Sequence, residues 1–230
     1  MNLKPIILAA AVAMVGVGYA DLTVVQKVTS PAPGGGAPRQ STVTQRVKGT
    51  KMRMDMDQMT SSLIDLDAGK MYMLDHGGKK AVAMPLDMMK KQAEQMQAAL
   101  AGGQKPGAST VTPTGKTQTI GGLACKEYKV SASGSLNMTA TYWMAEDAKV
   151  TELEPFKKFI GDMNPVLGKD VFSQLKGLPM RSESTLQVGG QAIVSTSEVT
   201  SLSHDPVADD VFVIPAGYAL ETLELGGLGR

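Results

Sequence analysis

The sequence predicts an α+β protein built on one strongly curved antiparallel β-sheet, with a helix packed against its concave face. Three observations carry that expectation. Short Val- and Thr-rich runs alternate at period two, the turns between them are too short for parallel crossovers, and one longer run has helical spacing.

The runs follow in order. Leu22 to Val28 and Ser41 to Lys48 read as a hairpin whose long loop, Ser30-Pro31-Ala32-Pro33-Gly34-Gly35-Gly36-Ala37-Pro38, can continue neither strand. Strands at 50–57, 59–66, 70–75 and 79–84 follow, separated by turns such as Asp67-Ala68-Gly69 and Asp75-His76-Gly77-Gly78. The helix spans Pro85 to Ala101. Pro85 suits a first turn, Asp87 complements the N-terminal dipole, Gly102-Gly103 ends it, and Leu86, Met89, Ala93, Met96 and Leu100 form one apolar stripe. Gly102 to Thr112 reads as a flexible linker inside a single domain, 21–230. Beyond it, strands at 114–120 and 123–131 flank the tight-turn pair Gly121-Gly122, and a third covers 136–145. Helical segments at 151–160 and 169–175 precede a last hairpin, 179–188 and 191–203, across Gly189-Gly190. The closing stretch 211–218 is extended, and Pro215 restricts it to a sheet edge or a strap.

The first twenty residues are not part of that sheet. Lys4 precedes an apolar run from Pro5 to Gly18 that is short for a bilayer span, and the small residues Gly18 and Ala20 sit three and one positions before Asp21. This predicts an export signal cleaved between Ala20 and Asp21. Position 21 is not Cys, so no thiol is offered for lipidation, and the expected product is a soluble protein of the periplasm or the exterior, not an integral membrane protein. Loss of Lys4 leaves 22 basic against 22 acidic residues. With so little net charge and only isolated Lys doublets, nucleic acid is not an expected partner. Cys125 is the single cysteine, so no intramolecular disulfide can form and packing must supply the stability.

Several segments together resemble the bacterial exported family known as domain of unknown function 4412. They are Val47-Lys48-Gly49-Thr50-Lys51-Met52-Arg53-Met54, Ile64-Asp65-Leu66-Asp67-Ala68-Gly69-Lys70-Met71-Tyr72, Ile120-Gly121-Gly122-Leu123-Ala124-Cys125-Lys126-Glu127-Tyr128, Tyr142-Trp143-Met144-Ala145-Glu146-Asp147 and Phe212-Val213-Ile214-Pro215-Ala216-Gly217-Tyr218. That family in turn resembles the lipoprotein-carrier (LolA/LolB-like) superfamily. The resemblance implies an incomplete β-barrel with helices at its open mouth, and lipid handling by analogy of fold.

Methionine is the compositional oddity, with 16 in the chain. Met52, Met54 and Met56 alternate along one strand and Met71 and Met73 along another, a pattern that fits a core face, the lining of a variable apolar ligand site, or soft thioether donors for Cu(I). Successive thioethers two residues apart on a strand lie about 7 Å apart, too far to close on one ion, so no metal site is expected. The expected ligand lining is Met52, Met54, Met56, Met71 and Met73 facing Leu86, Met89, Met96 and Leu100 of the helix. No catalytic residue and no cofactor is expected. His76 falls in a turn, Ser203-His204-Asp205-Pro206 reads as a turn rather than a triad, and the chain lacks a Gly-x-Ser-x-Gly elbow and a His-Glu-x-x-His pair. Cys125 is expected to be buried and inert, with a bulge in its strand reconciling Leu123 and Cys125 with Tyr128 and Val130. Two function classes stay open: a non-catalytic module for a lipid or other lipophile, and a cell-envelope interaction protein with a full core and adhesive strand edges.

Overall fold

The computed structural model describes residues 21–32, 36–101, 109–133, 137–148, 150–163, 169–188 and 191–222. Residues 1–20, expected to be an export signal, residues 102–108 of the expected linker, and Gly189-Gly190, expected to be a turn, lie outside them.

The backbone of the molecule is one curved sheet of 12 strands. Its first meander is β1 (Leu22–Ser30), β2 (Arg39–Lys48), β3 (Lys51–Asp55), β4 (Thr60–Asp65), β5 (Lys70–Asp75) and β6 (Lys80–Pro85), followed by helix α1 (Leu86–Ala101). The second is β7 (Ser109–Ile120), β8 (Leu123–Ala132) and β9 (Asn137–Ala145), then α2 (Glu154–Asp162) and α3 (Lys169–Gln174), then β10 (Leu178–Val188) and β11 (Gln191–Ser203). Gly121 and Gly122, with φ of +57° and +80°, turn β7 into β8 through the left-handed backbone that the Gly-Gly pair suggested. With β12 (Ala219–Thr222), strand order is β12-β6-β5-β4-β3-β2-β1-β11-β10-β9-β8-β7, so antiparallel pairing of β1 with β11 joins the two meanders and the sheet stays open, with edges at β7 and β12.

Two boundaries differ from the sequence reading. Residues 109–112 are not linker but the start of β7, because Ser109, Thr110 and Val111 pair with Ala132, Ser131 and Val130. The chain end adds a feature no periodicity announced: after the strap, β12 (Ala219–Thr222) pairs parallel with β6. A parallel pair needs a long connection, and the intervening half of the molecule supplies it.

Burial follows from register. Leu22, Val47, Met52, Ile64 and Met71 are directly cross-strand in succession, forming one apolar row across five strands. Phe156 of α2, fully buried, packs in the same cluster. Further along that face, Val171 of α3 and Leu175 pack with Val130, Ala140 and Met144. The opposite face of the first meander is covered too. Leu63, Leu74 and Ala81 pack with Ile214 and Tyr218 of the 204–218 strap. Polar ties fix the strap: Lys48 Nζ donates to the Val207 carbonyl at 2.9 Å, Arg53 to the Val211 carbonyl at 3.1 Å, and the Val207 amide to Asp21 Oδ2 at 2.6 Å. His76 bridges the Tyr218 hydroxyl (2.6 Å) and Ser61 Oγ (2.9 Å). With both faces covered, Ser61, Ser62, Leu63 and Ile64 of β4 are all buried, which breaks simple alternation.

The expected bulge in β8 is not there. Its pairing with β9 runs unbroken from Lys126 to Ala132, and the irregularities fall in the neighbours, between Pro113 and Thr117 of β7 and between Pro179 and Arg181 of β10. Cys125 and Val130 are both buried because they enter different clusters. Helix α1 also departs from its stripe. Met88 and Ala93 are buried, Leu86 and Met89 are half-buried, and Met96 is 53% exposed. In the second half of α1 Glu94, Gln95, Met96 and Ala98 are all exposed, and a Lys90–Asp162 ion pair at 3.6 Å ties its first half to α2.

Phe156→Ala removes the largest fully buried side chain from the junction of α2 and the sheet. It is expected to lower unfolding stability by about 3–5 kcal/mol, read as a fall in the urea midpoint at unchanged slope. Acid should also weaken the fold. The Lys126 ammonium, 2.5 Å away, and the Tyr128 hydroxyl hold the Glu146 carboxyl below its usual range, and the Thr114 hydroxyl does the same for Glu127. Carboxyls lowered on folding contribute stability that is complete above the unfolded value, about 4.3, and fades as pH falls through the lower folded value. Glu146→Gln should therefore melt earlier than the parent at pH 7 and no differently at pH 2. An equal gap at both pH values would contradict this.

Candidate functional site

Among the described residues, the sequence-derived lining is not brought together as one cavity wall. Met52, 2% exposed, and half-buried Met71 and Leu86 belong to the main core. The Met52 sulfur accepts a hydrogen bond from Gln45 Nε2 at 3.1 Å. Met54 and Met73 are half-buried and flank Ser62 across β3, β4 and β5. Met56 lies past the end of β3, where its amide bonds to the Thr60 carbonyl at 3.1 Å. Met89 is half-buried and Met96 is exposed on α1, and the Leu100 side chain is outside the described residues.

A cleft occurs instead between α2–α3 and the middle of the sheet. It measures about 180 Å³ and takes its floor from Val24, Tyr142, Met144, Leu178 and Val199, with Leu153, Ile160, Phe172 and Leu175 opposite. The floor mixes β1, β9, β10 and β11, strands that share a wall only because β1 lies against β11. Gly177 lets the wall close tightly. Its φ is +83°, and a Cβ there would lie 2.1 Å from the Ala145 carbonyl oxygen. The polar groups in the lining are Gln26, Gln45, Tyr142 and, at the rim, Lys157, whose ammonium lies 2.5 Å from Glu154 Oε1. Burial pushes the Tyr142 phenol up, so at neutral pH it is a protonated donor. A larger depression of about 420 Å³ lies over β7–β10, but its floor is Thr110, Thr112, Thr139, Thr141 and Thr185 with Lys129 and Glu183, hydroxyls and charges that water serves well.

The titratable side chains singled out in the sequence have structural partners. His76 latches the strap. Ser203 and Asp205 bond to each other, Oγ to Oδ2 at 2.6 Å and amide to Oγ at 3.0 Å, as the turn reading requires. His204 Nδ1 lies 3.4 Å from Oε1 of Glu152, which is 3% exposed and whose Oε2 is buried without a partner among the described residues. No pattern in the sequence marked Glu152. It follows β9 on a 3-10 turn, Thr151–Leu153, that leads into α2 and lies against β2. Among the described residues no group of three His, Cys, Asp or Glu side chains could hold a metal ion, and no helix is long and apolar enough to cross a membrane.

A family model described as a domain of unknown function, DUF4412, matches residues 31–218, and the chain belongs to that family. A comparison with curated proteins finds no match. Among solved structures, PNGF-II is similar at 14% identity and a TM-score of 0.42 over 89% of this chain and 31% of its own, so the chain spans about a third of that protein. A LolA superfamily protein from Nitrosomonas europaea is similar at 8% identity and 0.36, over 84% of this chain and 90% of its own. A putative outer membrane lipoprotein-sorting protein domain from Vibrio parahaemolyticus follows at 7% and 0.35, over 85% and 90%.

Cys125 lies in the core at 0% exposure, and burial pushes its thiol up, so thiolate is scarce at neutral pH and access is blocked. The native protein should therefore leave a thiol reagent such as Ellman's unreacted over the minutes in which the urea-unfolded chain titrates one equivalent. Rapid labelling of the native state would place Cys125 in an open site.

Proposed function

We propose that this DUF4412 protein is an exported, non-catalytic module that holds the apolar part of a small lipophile between its sheet and α2–α3. The observation that carries this is the cleft itself: an apolar wall from both layers, a short list of neutral hydrogen-bonding groups, and one cation confined to the rim. In this reading α1, α2 and α3 occupy the hollow of the curved sheet. The Met-bearing strands adjoin the site through Gln45, which lines it and is directly cross-strand from Met54. Cleavage between Ala20 and Asp21 leaves β1, which begins at Leu22, intact.

Volume limits the ligand. Pockets for drug-sized molecules run from about 300 Å³ upward, and a cavity of roughly 150 Å³ lined by aliphatic and aromatic side chains takes up benzene. At about 180 Å³ the cleft suits one ring or a short alkyl segment, not a whole long acyl chain. The same small volume favours the alternative, a cell-envelope interaction protein with a nearly full core. Its adhesive edge would not be β7, where Pro113 lacks a donor and the Pro113–Thr117 irregularity, with Gly115 at φ +78°, interrupts the strand.

Native mass spectrometry of protein released gently from the periplasm should show a mature chain beginning at Asp21 with a small lipophile bound. For added n-alkyl probes, affinity should rise about fourfold per methylene, from roughly 0.8 kcal/mol each, and level off once the cleft is full. It should change little with salt, because no charge pair is involved. No co-purifying lipophile together with no uptake of any alkyl probe would leave the interaction protein as the better account.

A further inference from the structure

Taken as a ligand site, the cleft discriminates by headgroup charge. Four polar side chains reach it. Gln45 commits its amide nitrogen to Met52 Sδ at 3.1 Å, which leaves its carbonyl oxygen as the group that can face a ligand. Neither the Gln26 amide nor the Tyr142 hydroxyl has a side-chain hydrogen-bond partner among the described residues, although both line an apolar cavity. A polar group in such a wall that lacks a protein partner forfeits free energy unless water or a ligand serves it. The fourth group, Lys157, is already paired with Glu154 one turn away on α2. A carboxylate or phosphate drawn into the cleft would therefore lose hydration without meeting an unpaired cation, and an ammonium would lose it without meeting an unpaired anion.

We propose that the cleft is selective for uncharged amphiphiles, compact apolar bodies that carry one neutral oxygen function (an alcohol, ester or amide), which accepts from Tyr142 and exchanges hydrogen bonds with Gln26. The inference rests on the reading of the cleft as a ligand site, and it adds a headgroup rule that volume and apolarity do not contain. Tyr142 is the residue that reads the oxygen, because it projects from β9 into the floor and burial keeps its proton on. No charge forms or moves on binding, so the preference should hold at every salt concentration.

Three probes of similar apolar bulk separate the possibilities: toluene with no headgroup, 1-octanol with a neutral one and octanoate with an anionic one, titrated calorimetrically at pH 7.5 into the full mature protein. Octanol should bind at least tenfold more tightly than octanoate. Tyr142→Phe, which keeps the ring and the packing, should cut octanol affinity about fivefold, the range of one neutral hydrogen bond, and leave toluene unchanged. Gln26→Met, a substitution of similar length, should weaken octanol and not toluene. Octanoate binding as tightly as octanol, or octanol indifferent to both substitutions while toluene binds, would overturn the headgroup rule and leave the apolar site standing. Failure of all three probes to bind the unsubstituted protein would remove the site itself.

Discussion

Pairing of β1 with β11 is the constraint on which the rest of this structure depends. It joins residues as far apart in sequence as Thr23 and Ser203, and among the described residues it is the strand pairing that fuses the two meanders into one sheet. Within each meander the paired strands are consecutive in sequence, and most of them close over short turns. The seam between the meanders must bear the entropy of closing nearly the whole chain, so it has to be supported by burial on both sides. That support is visible. Val24 and Val199 beside the seam are buried in the main cluster together with Phe156 of α2.

The same seam delivers the covering elements. Because β11 ends next to β1, the chain leaving it starts its strap beside Asp21, whose carboxylate accepts the Val207 amide. From there the strap crosses the face opposite the helices and buries Leu63, Leu74 and Ala81. Arg53 on that face would otherwise strand a cation against apolar surface. It is instead held by Asp55 at 2.7 Å and by the Val211 carbonyl, a strap atom. Coverage of both faces explains how a protein without disulfides reaches a stable core from a thin sheet.

Function, in this account, is a consequence of imperfect filling at that seam. The cleft lies over the strands on either side of the seam, beneath α2 and α3, and Gly177 lets the loop into β10 approach Ala145 closely. Its wall is mostly apolar, and the half-buried Tyr142 phenol and Gln26 amide beside it have no side-chain partner among the described residues. The outer hydroxyl-lined depression has no such economy. Every group in it can be hydrated as it stands.

Much of the fold was legible because strand period, turn chemistry and helix caps are local. Val/Thr alternation located most strands to within a few residues, the Gly121-Gly122 pair identified its hairpin, and the short turns of the first meander announced its antiparallel pairing. Family membership, too, was readable from short strand-and-turn segments. The candidate site was not legible, since nothing local distinguishes Val24, Tyr142 and Val199 as neighbours until β1 meets β11. The methionine alternation was a true face signal, yet it marked core and its border, because which end of a sheet face is filled depends on where the helices land. Met96 obeyed the helical spacing and stayed exposed for the same reason: periodicity says which residues share a stripe, and only tertiary packing decides whether anything lies opposite it. Glu152, buried on a turn that lies against β2 and faces His204, and β12, recruited beside β6 from far along the chain, belong to that second kind of information, which arises from contacts between segments that are remote in sequence.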